Sequence, residues 1–137
     1  MLFRSDDDLR KRFERAKQSI VPHVNVLGLV AAEAAWRDGG PWLAAQLEYL
    51  RGNRDFLAAA VTQLPGVTMS RVEATYLAWL DVRDLGLDDP AAHFEAHGLG
   101  FSPGPHFGAE GFVRCNFACT RDTLAEACRR LEGAIIK

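Results

Sequence analysis

The run GFVRCNF, residues 111–117, has the two-residue alternation of an extended strand, which sends Phe112, Arg114 and Asn116 to one face and Val113, Cys115 and Phe117 to the other. The apolar set belongs to a core, so Arg114 projects from a rigid element beside a neutral amide. A guanidinium held this way can bind a carboxylate through two parallel N–H bonds, with Asn116 close enough to add a third. The competing reading is an arginine on an exposed sheet face or in an ordinary ion pair. Upstream, EATYLAWLD sorts Thr75, Leu77, Trp79 and Asp81 from Ala74, Tyr76, Ala78 and Leu80. The Tyr76 hydroxyl could meet a ligand there, or its ring could simply fill part of a core.

Other reactive residue types fall into patterns with less chemical content. His93 and His97 stand one helical turn apart and could share a metal, but no further ligand is in register with them. Cys115, Cys119 and Cys128 are an odd number crowded into the C-terminal quarter, which reads as structural thiols in a reducing compartment rather than a disulfide framework. No Ser–His–Asp or Cys–His arrangement is supported. LGFSPGPHFGAEG lacks the lysine and hydroxyl of a phosphate loop, and its glycines suit a loop at a site entrance with His106 and Phe107 near the tip.

The elements that must carry these residues follow from 137 residues that are 48% hydrophobic and 25% charged, a composition expected of one globular domain. The formal net charge of −2, with both signs interspersed, argues against a nucleic-acid partner. No stretch approaches the roughly 20 apolar residues of a membrane span, and MLFRSDDDLRKRF is too charged for a secretory signal. A cytoplasmic protein is expected.

Ser5 before three aspartates predicts a helix start. Pro22 restarts the chain, and an alanine-rich segment with Val26, Leu27, Leu29 and Val30 predicts a second helix buried on most sides. Gly39 and Gly40 stop it and Pro41 opens the longest helix, whose stripe runs through Leu43, Leu47, Leu50, Leu57, Val61 and Leu64 to a stop at Pro65 and Gly66. Gly52 and Asn53 weaken its middle by about 1 kcal/mol relative to alanine. Beyond Gly66, β-branched and aromatic residues predict a switch to strands. A short helix from Pro90 to His97, a short strand at LGF, the GFVRCNF strand, and a last helix capped by Thr120 with Leu124, Ala127, Cys128, Leu131 and Ile135 complete the chain. The expected class is α+β, with long N-terminal helices followed by a small, mainly antiparallel sheet covered by helices.

EATYLAWLDVRDLGL, followed by GLGFSPGPHFGAEGFVRCNFACTRDTLAEACRRLEGAI and preceded by WLAAQLEYLRGNRDFL, resembles the C-terminal small domain of the cystathionine β-lyase-like (C–S lyase) branch of fold-type I PLP enzymes, in the aminotransferase superfamily. The resemblance implies that Arg114 binds the α-carboxylate of an amino-acid substrate, with Asn116 and Tyr76 as neighbours. It also implies that the loop residues Ser102, Pro103, Gly104, Phe107 and Gly108 border the site. Cys115 stands where an aliphatic residue is more usual in the family. The resemblance further implies a missing N-terminal large domain that carries the Schiff-base lysine and the other PLP contacts, joined through residues 1–38 as a helical arm, and a homodimer when intact. None of Lys11, Lys17 or Lys137 lies in a matching motif, so no PLP is expected on this chain alone. A C–S β-lyase is the expected parent and an aminotransferase the alternative. A stand-alone interaction domain is a third reading.

Overall fold

In the computed structural model, residues 6–17 and 24–135 are described, and Ser5, Pro22 and Lys137 lie outside them. The chain divides into two compact units, residues 1–41 and 42–137.

The first unit contains α1 (Asp7–Lys17) and α2 (Val26–Asp38). Asp6 caps α1, its carboxylate accepting from the backbone N–H groups of Asp8 at 2.8 Å and Leu9 at 3.1 Å. This is the orphan-donor satisfaction that acidic residues supply at a helix start. Asn25 does the same for α2, accepting from Gly28 at 2.8 Å, and Gly39 ends it. The expectation that α2 is buried on most sides is not met. Val26, Leu27, Leu29, Val30 and Trp36 are all exposed, and α2 has no buried residue. An apolar pattern records that a face needs cover but not which chain supplies it.

α3 (Gly40–Thr62) leads into the second unit, where Leu57, Val61 and Leu64 enter the core as the stripe predicts. Asn53 is fully buried in the same helix. Its Nδ2 donates to the carbonyls of Phe117 and Cys119, each at 2.9 Å, tying the helix to the chain leaving the sheet.

The sheet contains β1 (Thr68–Met69), β2 (Leu77–Asp81), β3 (Ser102–Pro103) and β4 (Phe112–Asn116) in the order β1-β2-β4-β3, every neighbour antiparallel. Two boundaries differ from the sequence reading. Residues 74–76 form a bend rather than strand, because Thr75 takes a left-handed φ of 68° and breaks the extended run ahead of Leu77. The predicted LGF strand lies further along, at Ser102–Pro103: the Leu99 and Phe101 N–H groups donate to the Phe94 and Leu99 carbonyls, at 2.9 and 3.0 Å, instead of to a neighbouring strand. Between β2 and β3, Asp89 caps α4 (Pro90–Ala96), with Pro90 in its first turn.

One sheet face is core: Ala78, Leu80 and Val113 are fully buried and Cys115 nearly so. α5 (Arg121–Ile135) supplies Leu124 and Leu131 to that core, and α4 supplies Phe94. Thr120 caps α5, its hydroxyl accepting from the Thr123 N–H at 3.3 Å. The other face carries Leu77, Trp79 and Asp81 beside Asn116, Arg114 and Phe112.

Candidate carboxylate-binding site

Antiparallel register sets the site. Trp79 lies opposite Arg114 across β2 and β4, and Ser102 lies opposite Arg114 on the other side. The Ser70 N–H donates to the Trp79 carbonyl at 3.1 Å, extending the row by one strand. Ser70, Trp79, Arg114 and Ser102 therefore form one line across the sheet, with neighbours spaced by about 4.8 Å.

Around the half-buried Arg114, Nη2 donates to Ser102 Oγ at 3.3 Å, and the guanidinium carbon lies 4.3 Å from the centre of the Phe107 ring. Phe107 is held edge-on against Trp79 at 5.4 Å, and Trp79 meets Phe112 at 6.4 Å in the same manner. A guanidinium stacked on an aromatic face keeps its in-plane N–H donors free for a ligand.

No Asp or Glu among the described residues forms an ion pair with Arg114. The carboxylate on the same face, Asp81, is already taken. Arg83 grips it in fork geometry, Nε to Oδ1 at 2.9 Å and Nη2 to Oδ2 at 2.6 Å, while lying 5.0 Å over the Phe112 ring. These hydrogen bonds hold the Asp81 carboxyl below its ordinary range. Arg114 is thus left with donors facing a cleft of about 290 Å³, walled by Trp79, Leu77, Thr75 and residues 70–74.

The border loop is fixed by backbone demands. Residues Gly104–Phe107 make a 3₁₀ turn closed by Gly108 at φ 73°, a conformation that favours glycine. At Gly104 a Cβ would run into the carbonyl oxygens of Ala109 and Phe112. The turn therefore packs closely against the β4 entry, and that closeness delivers Phe107 to Arg114.

The expected site residues do not all converge. Ser102 and Phe107 contact Arg114 directly, whereas Pro103, Gly104 and Gly108 shape the loop. Asn116 shares the face two residues along β4, but its Oδ1 accepts from the Ala118 N–H at 2.9 Å, leaving Nδ2 as its donor. Tyr76 is exposed at the bend before β2, and its carbonyl accepts from Phe117 at 3.0 Å. His93 bonds the Ala134 carbonyl at 3.0 Å and His97 the His93 carbonyl at 2.9 Å, both structural contacts. No metal-binding group of three or more His, Cys, Asp or Glu occurs among the described residues. The three cysteines are free thiols, and burial pushes that of Cys115 up to about 12. Sequence reasoning missed Trp79 as the partner of Arg114. Alternation placed it on a mixed face, but its register with β4 has no local signature.

The profile of the family described as aminotransferase class I and II matches residues 6–131. The chain belongs to this family. Its relatives include the cystathionine β-lyase PatB of Bacillus subtilis, 36% identical over 136 residues that cover 90% of this chain and 35% of PatB. The cystathionine β-lyase of Corynebacterium glutamicum is 37% identical over 117 residues, covering 82% of this chain and 31% of its own. Among solved structures, OvoB is 53% identical with a TM-score of 0.92, over 97% of this chain and 35% of OvoB. The PLP-bound C–S lyase of Staphylococcus hominis is 28% identical with a TM-score of 0.84, over 96% of this chain and 36% of its own. The chain thus spans about a third of the length of these relatives. The small antiparallel sheet and its covering helices match the corresponding third of these structures.

Proposed function

We propose that this chain is the substrate-carboxylate-binding part of a PLP-dependent C–S β-lyase that acts on sulfur amino acids. The observation that carries the reading is Arg114. Its guanidinium is oriented by Phe107 and Ser102, opens on a cleft, and forms no ion pair with a carboxylate among the described residues. The names of the relatives supply the reaction class: cystathionine β-lyases in sequence and a PLP-bound C–S lyase in structure.

In this reading the chain holds no PLP by itself; Lys11 and Lys17 lie on α1, which has no buried residue. In the reading proposed here the cofactor, an electron sink in enzymes of this kind, is held by a large domain outside these 137 residues, and residues 1–38 form the arm joining it. The intact enzyme is proposed to be a homodimer. What this chain contributes is orientation: two N–H donors of Arg114 grip the substrate α-carboxylate, fixing the rotation of the amino acid about its Cα. Trp79, Phe107 and Phe112 exclude water from one side, which strengthens that charge pairing. In this reading Asn116 Nδ2 and the Tyr76 hydroxyl act as secondary donors.

An aminotransferase is the second reading, favoured by relatives such as the aspartate/prephenate aminotransferase of Nitrosomonas europaea, 26% identical over 136 residues. Carboxylate recognition serves both reactions. Incubating the full-length enzyme with L-cystathionine, with and without a keto acid, separates them: thiol release independent of the keto acid is expected. Amino transfer without thiol release would contradict the lyase reading.

A further inference from the structure

The cleft that opens on Arg114 also carries a pair of opposite charges. Its wall runs from Ser70 through Arg71, Val72, Glu73 and Ala74 to Thr75 before meeting Leu77, Trp79 and Arg114. Arg71 Nε and a Glu73 carboxylate oxygen are 3.4 Å apart, with side chains 88% and 73% exposed. A pair this exposed contributes little to stability, so a ligand can exchange into it at small cost.

Placement gives the pair meaning. Ser70 is two strands from Arg114 along the same cross-sheet row, which puts the start of this wall about 10 Å from the Arg114 backbone. Arg71 and Glu73 follow directly. The wall is also held against a local cost: Thr75 is a β-branched residue at φ 68°, an unusual conformation offset in part by its hydroxyl accepting from the Leu77 N–H at 3.2 Å. The strained bend turns the chain from this wall into β2, the strand that carries Trp79.

One cation and one anion facing a cleft that already has a carboxylate-binding arginine suit a ligand with two amino-acid ends. We propose that Arg71 and Glu73 select the substrate by holding the carboxylate and the ammonium, respectively, of a second amino-acid end across the thioether from the end held by Arg114. This deepens the carboxylate-binding reading and rests on it.

The test compares L-cystathionine, which has the second zwitterionic end, with S-methyl-L-cysteine, which lacks it, using the full-length enzyme. Arg71→Ala is expected to raise KM for L-cystathionine about tenfold, the worth of one charged hydrogen-bond contact. Its kcat, and both constants for S-methyl-L-cysteine, should stay unchanged. Glu73→Gln should act in the same direction, and Arg71→Lys should recover most of the loss. Equal effects on the two substrates, no effect on either, or an unsubstituted enzyme that does not prefer L-cystathionine would each overturn the proposal. Arg114→Ala is the separating control. It should impair both substrates, and if it impairs neither, the Arg114 reading fails while the ratio between substrates still reports on Arg71.

Discussion

A guanidinium offers five N–H donors, and Arg114 spends one on Ser102 while its face rests on Phe107. Removing that stacking partner should therefore loosen the arginine without unfolding the sheet, because Phe107 is 47% exposed and outside the core. Phe107→Leu in the full-length enzyme is expected to lower kcat/KM about fivefold, within the range of a cation–π contact, with the far-UV circular dichroism unchanged. Asp81 makes the matching prediction about charge. The Arg83 hydrogen bonds depress its folded-state pKa, so the pair stabilises the fold above the unfolded carboxylate range near 4 and loses that contribution as pH falls through the lower folded value. Since Arg83 is largely exposed, solvent screens the pair and it contributes little. Asp81→Asn should lower the urea midpoint only slightly at pH 7, and the difference should disappear in acid. The Cys115 thiol, pushed up to about 12 by burial, should resist iodoacetamide at pH 7.5 in the folded chain, while the half-buried Cys119 and Cys128 are alkylated first, as peptide mass spectrometry would report.

At the scale of elements, Asn53 does more than its helix propensity suggests. Two carbonyls depend on its amide, so Asn53→Ala is expected to destabilise the chain by about 2 kcal/mol, measured as a lower urea midpoint with an unchanged m-value. Helix arithmetic marked it as a weak point, because a single sequence shows the cost of a polar residue in a helix and not the distant carbonyls it serves. β4 was legible for the opposite reason: period-two alternation is local, and it separated Arg114 from Cys115 correctly. The α5 stripe was equally readable from Leu124 through Ile135. The pairing of Trp79 with Arg114 was not, since register between strands remote in sequence depends on how their two faces are buried together, which neither strand shows alone. Nor was the bend at Thr75, because threonine has no preference for positive φ that a reader could have used.

At the scale of the whole molecule, the chain has the length of about a third of its relatives. Within residues 1–41, α2 presents Val26, Leu27, Leu29, Val30 and Trp36 as exposed apolar surface. A patch of this kind promotes association, so the 137-residue chain by itself should self-associate in sedimentation velocity, and a Leu27→Glu, Val30→Glu double variant should do so less. Family membership explains the fold, but the claim made for this chain rests on one side chain. Its most direct test is the steady-state kinetics of Arg114→Ala in the full-length enzyme with L-cystathionine. Loss of two charged hydrogen bonds to the α-carboxylate predicts a kcat/KM lowered by about a hundredfold, with Arg114→Lys intermediate because it keeps the charge and loses the fork. A kcat/KM for Arg114→Ala equal to that of the unsubstituted enzyme would contradict the assignment.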